Sequence, residues 1–288
     1  MGTLVLLTLA SLVGCKPDAA EADLPTLTLT ESGSSLTTLA EQAVAASPTW
    51  LQDDLALTLQ GLDETLQDEL GALVVDLDDP YLTDEVAFSI AHLSPEVLAD
   101  EDFYPQFLVI NAELIYARDA DLAYVELQDL GEPGVDADYE TTATYQVEID
   151  EERVERTLDR DTYYWYLVHP RLEDEYPYFI DGWETCSGSE CASNPDEGMT
   201  WRQFLWDGAT DECPDDRECP VIADYLDQDV EVLWKSKSYE KDDNGAIGQL
   251  IQWEMDAITF GAGDERPIQP NRIYAVGCGN CGEWADMA

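Results

Sequence analysis

Leu51, Leu55, Leu59, Leu62, Leu66, Leu70 and Leu73 recur at spacings of four and three. On a helix of 3.6 residues per turn, that spacing lines up one apolar stripe, and an apolar stripe must be covered. Gly61 interrupts the run, which therefore reads as two helices rather than one. A coiled-coil partner could cover the stripe, but packing into the chain's own core is the simpler reading. The surrounding residues 36–130 read as a helical region. Ser47-Pro48 and Ser94-Pro95 each set a capping side chain before proline at a first helical position. Residues 105–118, PQFLVINAELIYAR, read as a buried helix, and His92 as a packed residue of an apolar helical stretch.

From about residue 123 to 170 the period changes. AYVELQDL, TTATYQVEID and TYYWYLVHP are rich in β-branched and aromatic residues, with turn signals such as Gly131-Glu132-Pro133-Gly134 between them. Three antiparallel strands are expected, with His169 structural at the end of the third. A helical N-terminal region followed by antiparallel strands, without βαβ alternation, gives an α+β fold class. Residues 131–243 form a β-containing region that carries four cysteines. Within it, Thr200-Trp201-Arg202-Gln203 resembles a capping box opening a short helix through Trp206. A further helix is expected from Pro220 to Trp234. Another is expected over residues 244–260, with Ile247, Ile251, Met255 and Ile258 on one face.

The 288 residues carry 13 Lys plus Arg against 63 Asp plus Glu, a net charge of −50. Such a field repels phosphate backbones and anionic lipid surfaces, so no nucleic-acid partner is expected. With 45% apolar residues the chain is nevertheless globular in composition. Two explanations of the acidity compete. Asp76 to Glu85 and Asp207 to Glu218 are dense in carboxylates, yet neither follows the D-x-[DN]-x-[DN]-G calcium-loop pattern. The favoured explanation is a surface adapted to high salt, since self-repulsion of this size needs screening.

Residues 1–15, MGTLVLLTLASLVGC, read as an export signal, because the apolar run of residues 4–13 is too short to span a bilayer. Leu12-Val13-Gly14-Cys15 resembles the bacterial lipobox. That resemblance implies removal of residues 1–14, acylation of Cys15 and attachment to a cell-envelope membrane, although no Lys or Arg precedes the apolar run. Residues 16–35 are polar and small, the composition of a tether. In an exported chain disulfides persist. Local bridges Cys186–Cys191 and Cys213–Cys219 are the simplest pairing, with other connectivities open. Zinc is the alternative, but both spacings exceed C-x-x-C and ligand histidines are lacking, so no metal or cofactor is expected.

The last stretch, PNRIYAVGCGNCGEWADMA, holds Cys278 and Cys281 in C-x-x-C spacing among glycines, followed by a helix-forming run. A cysteine at a helix N-terminus gains thiolate character from the helix dipole and free N–H groups. A redox pair and an inert disulfide are the alternative readings. Gly279-Asn280-Cys281-Gly282-Glu283-Trp284-Ala285 resembles the nucleophile segment of the transglutaminase-like superfamily, roughly G-x-C-x-[DE]-[aromatic]-A. The resemblance covers residues 244–288. It implies that Cys281 is a nucleophile opening the first core helix of a papain-like domain, acting on a protein or peptide amide. It also implies a histidine and an aspartate after that helix. The sequence ends seven residues after Cys281, so the expectation is an incomplete domain, inactive as it stands. A non-catalytic envelope lipoprotein with a binding or structural role is the alternative.

Overall fold

The leucine stripe folds as two helices because a capped break separates them. In the computed structural model, α2 (Gln52–Gln60) ends at Gly61, and Asp63 accepts from the backbone N of Thr65 and Leu66 at 2.9 and 3.0 Å to start α3 (Glu64–Val75). The structure describes residues 35–100, 103–170, 199–208, 220–226, 230, 234–235, 245–260, 273 and 278–279. Leu51, Leu55, Leu59, Leu62 and Leu70 are buried, and Leu66 and Leu73 pack partly buried against them. Each fully buried leucine contributes about 1.5–3 kcal/mol.

Around this pair lie α1 (Thr38–Ala46), α4 (Thr83–His92), α5 (Pro95–Leu98) and α6 (Phe107–Asp121). Ser94 caps α5 as expected, accepting from Val97 N, with Pro95 at the first position. Ser47 does not open α2. It closes α1, its hydroxyl donating to Ala43 O at 2.8 Å and its carbonyl accepting from Gln52 Nε2 at 2.9 Å. Pro48 instead opens a turn closed by Leu51 N on Pro48 O, which delays the helix to Gln52. The central element is α4, preceded by a 3₁₀ turn at Pro80–Leu82. Every residue from Thr83 to Ala91 is buried, as befits a helix covered on all sides.

The sheet follows directly on α6. Strands β1 (Val125–Leu130), β2 (Glu140–Ile149) and β3 (Glu152–Thr157) are antiparallel in the order β1-β2-β3, with Val125 opposite Tyr145 and Val147 opposite Val154. The α+β class holds, but the third strand is not the expected one. Residues 160–168 are helical: α7 (Arg160–Tyr163) runs into a π-helical turn, Tyr164–Val168. Asp159 starts it by accepting from Thr162 N at 3.0 Å, and Tyr163, Tyr164 and Val168 enter the helical core. The real third strand, Glu-Arg-Val-Glu-Arg-Thr, shows only Val154 half-buried, so its sequence carries almost no apolar alternation.

Beyond the sheet, α8 (Trp201–Asp207) is capped by Thr200, which accepts from Gln203 N at 3.0 Å. The described part of residues 220–234 does not form the expected helix. It is a 3₁₀ turn at Ile222–Asp224 and the start of β4 (Trp234–Lys235), which pairs parallel to β2 at Val147 and Glu148. Helix α9 (Ala246–Ala257) forms, with a different buried face from the aliphatic one expected. Ala246, Trp253 and Ala257 are buried, while Met255 is 48% exposed. Trp253 decides the orientation by packing with Phe204, Ile258 and Ile273 and donating Nε1–H to Pro220 O at 2.8 Å. The chain from Ser34 onward forms one compact unit. Among the described residues no helix is long and apolar enough to cross a membrane.

Candidate functional site

The sequence-derived site residues fall mostly outside the described residues. Cys15, Cys186, Cys191, Cys213, Cys219 and Cys281 all lie there. Cys278 is described as backbone. With Gly279 it forms β6 (Cys278–Gly279), which pairs parallel to β5 (Thr259–Phe260), Thr259 opposite Cys278. Ile258, which ends α9, leads straight into β5 and is buried beside Trp253. The strand that runs toward Cys281 is thus tied to the end of a packed helix.

The two histidines of the chain, His92 and His169, come together, which their sequence positions did not suggest. The His92 ring lies 4.2 Å from Phe88 and 4.6 Å from Trp165, and Trp165 stacks on His169 at 5.4 Å. His169 Nε2 is 3.4 Å from His92 O. Burial holds the His92 pKa below its usual value, and the charge of His169 acts in the same direction against the opposing charge of Asp54. Both rings serve as packing surface between α4 and the π-helical turn.

Deeper in the core are two acids that sequence reasoning left among the solvated carboxylates. Asp84 and Glu85, on α4, are 1% and 0% exposed. Asp84 Oδ2 accepts from Thr141 N at 3.0 Å and from Tyr164 Oη. Glu85 Oε1 accepts from Tyr163 Oη at 3.1 Å. Their remaining oxygens, Asp84 Oδ1 and Glu85 Oε2, are buried without a donor. Burial raises both pKa values, that of Glu85 well above the carboxylate range, with the neighbouring Asp84 charge adding to it. The raised pKa of Glu85 favours its protonated form, which avoids two buried negative charges on adjacent residues.

A third feature is open. A groove of about 750 Å³ runs between α6, the inner part of the sheet, the π-helical turn and α8. Its walls are mainly aliphatic and aromatic, including Leu114, Leu127, Leu158, Leu167, Leu205 and Trp206. Arg118 clamps one wall. It pairs with Asp121 at 2.8 Å on its own helix and with Asp207 at 3.0 Å on α8, and lies 4.9 Å over the Trp206 ring. The second arginine, Arg202, is exposed and lines the groove, with Leu167 O as its hydrogen-bond acceptor. The only sequence signal at this residue was its place in a helix cap.

No family model matches this chain, and no curated protein or solved structure matches it.

Proposed function

We propose that this protein is an exported, lipid-anchored thiol enzyme of the transglutaminase type, with Cys281 as nucleophile and Cys15 as the lipid attachment point. The supporting observation is the parallel β5–β6 pair, which joins the glycine-rich cysteine segment to the end of α9. A cysteine that follows a fixed strand and opens a helix gains N–H donors and dipole for its thiolate. Cys281 Sγ attacks an amide carbonyl. A sulfur–carbon bond forms, the carbon–nitrogen bond breaks and the amine leaves with a proton. The thioester then passes its acyl group to water or to a second amine. Neither His92 nor His169 is assigned as the base, since both rings are spent on packing.

Alkylation with iodoacetamide at neutral pH, read by peptide mass mapping, tests this reading. Preferential modification of Cys281, lost in Cys281→Ser, is expected. A Cys278–Cys281 disulfide that resists alkylation until reduced would overturn it. The second reading, a non-catalytic envelope lipoprotein with a binding role, is favoured by the open apolar groove beside α8.

A further inference from the structure

We propose that the groove between α6, the sheet and α8 binds a long-chain fatty acid, with its carboxylate on Arg202 and its acyl chain along the apolar walls. The proposal stands whether or not Cys281 is a nucleophile. Size is the first argument. About 750 Å³ falls within the roughly 300–1,000 Å³ of small-molecule sites, and the opening is long enough to reach from the sheet to α8. The second is chemistry. Walls of leucine and tryptophan select an alkyl chain, because burying apolar surface is the main driving force such a surface offers.

The third argument is charge. The chain holds 13 cationic side chains against 63 acids, so a cation without an acidic partner is the exception. Arg118 follows the rule, with Asp121 and Asp207 both on it. Among the described residues no carboxylate pairs with Arg202. Among the described residues its acceptor is the neutral carbonyl of Leu167, and its side chain lines the groove. As an exposed guanidinium it is a cation at neutral pH. A guanidinium with free N–H groups at an apolar wall is the complement of a single carboxylate on an alkyl chain.

The protein's own field makes the test sharp. A net charge of −50 repels fatty acids and attracts cationic amphiphiles, so any preference for the carboxylate must come from a local cation. The full chain is titrated with cis-parinaric acid, followed by fluorescence. The probe is then displaced by palmitate, hexadecanol or hexadecyltrimethylammonium, each below its micellar concentration. Palmitate is expected to displace it at concentrations about tenfold or more below hexadecanol, with the ammonium weakest. Arg202→Gln is expected to level palmitate with hexadecanol while leaving hexadecanol unchanged, and Arg202→Lys to keep most of the preference. Arg202 is exposed, and far-UV circular dichroism confirms that the variants fold. Absence of saturable parinaric binding by the folded chain overturns the proposal. So does equal displacement by all three amphiphiles, or a carboxylate preference that survives Arg202→Gln.

Discussion

Tyr163 Oη lies 3.1 Å from Glu85 Oε1, and this bond joins the aromatic segment after the sheet to the central helix inside the core. Tyr164, the next residue, reaches the neighbouring acid, Asp84. Two consecutive tyrosines thus meet two consecutive carboxyls. They leave one oxygen on each acid, Asp84 Oδ1 and Glu85 Oε2, buried without a hydrogen-bond partner.

The pH dependence of stability follows from the burial that raises the Glu85 pKa. The folded pKa of Glu85 is raised above its unfolded value, so its contribution is intact in acid and lost as pH rises through the folded pKa. Above about pH 4.3 the unfolded chain releases this proton while the folded chain keeps it, and stability falls by up to about 1.4 kcal/mol per pH unit. Glu85→Gln removes the loss, since its amide oxygen still accepts from Tyr163 and the group carries no titrating proton. Urea unfolding in molar NaCl is the measurement. The midpoint of Glu85→Gln is expected to gain on the parent as pH rises from about 5 to about 8. A gap that stays constant would show that Glu85 does not carry the proton.

Removing the tyrosine donor has a different signature. Tyr163→Phe keeps the ring, which is fully buried, and strips the Tyr163 donor from Glu85 Oε1. A buried acceptor left unsatisfied costs about 1–3 kcal/mol. Tyr163→Phe is expected to lower the unfolding free energy by that amount in the parent chain.

How far such features can be read from the residues depends on what each element buries. The leucine stripe and the break at Gly61 were legible, because spacing alone fixes which side chains face the core. β3 was not. Its hairpin turns on Asp150 and Glu151, both at positive φ (53° and 70°), where glycine or asparagine is the usual signal. Its outward face of Glu and Arg also hides the strand period. Residues 162–168 were misread because aromatic content favours strands, whereas the cap at Asp159 and burial of Tyr163 and Tyr164 against α4 decide for a helix. Asp84 and Glu85 were lost among 63 acids, since a buried carboxyl and a solvated one are spelled alike. Arg202 gained meaning only when the fold set α8 beside the sheet.

Charge screening gives a prediction about the whole molecule. Arg118 pairs with Asp121 and Asp207, and Arg160 with Glu140, each acid partly exposed, but 13 cationic side chains against 63 acids leave most carboxylates to repel one another. Salt screens such repulsion over about 10 Å at 0.1 M and about 3 Å at 1 M. The melting temperature is expected to rise steadily with NaCl from low salt to the molar range, and sodium and potassium chloride should act alike. An unchanged melting temperature would remove the high-salt explanation of the composition.

A close backbone approach of α1 to α3 gives the last prediction. A Cβ built on Gly71 of α3 would lie 2.8 Å from the Leu39 carbonyl carbon and 2.9 Å from Ala40 N of α1. Both are backbone atoms, so no side chain can swing aside. The φ of Gly71 is helical and any residue could adopt it; space alone requires glycine here. Gly71→Ala therefore sets two effects against each other. Alanine gains about 1 kcal/mol in helix propensity. Overpacking against a fixed backbone costs about 1–3 kcal/mol, and more when a helix must be displaced. The steric cost is expected to win, because α1 is also held to α3 by Gln67 Oε1, which accepts from Thr37 N at 2.9 Å and would be pulled away with it. The expected result is net destabilisation in urea unfolding, reversed in sign at a solvent-facing helical control such as Thr65→Ala. A Gly71→Ala chain as stable as the parent would show that α1 is free to shift on α3.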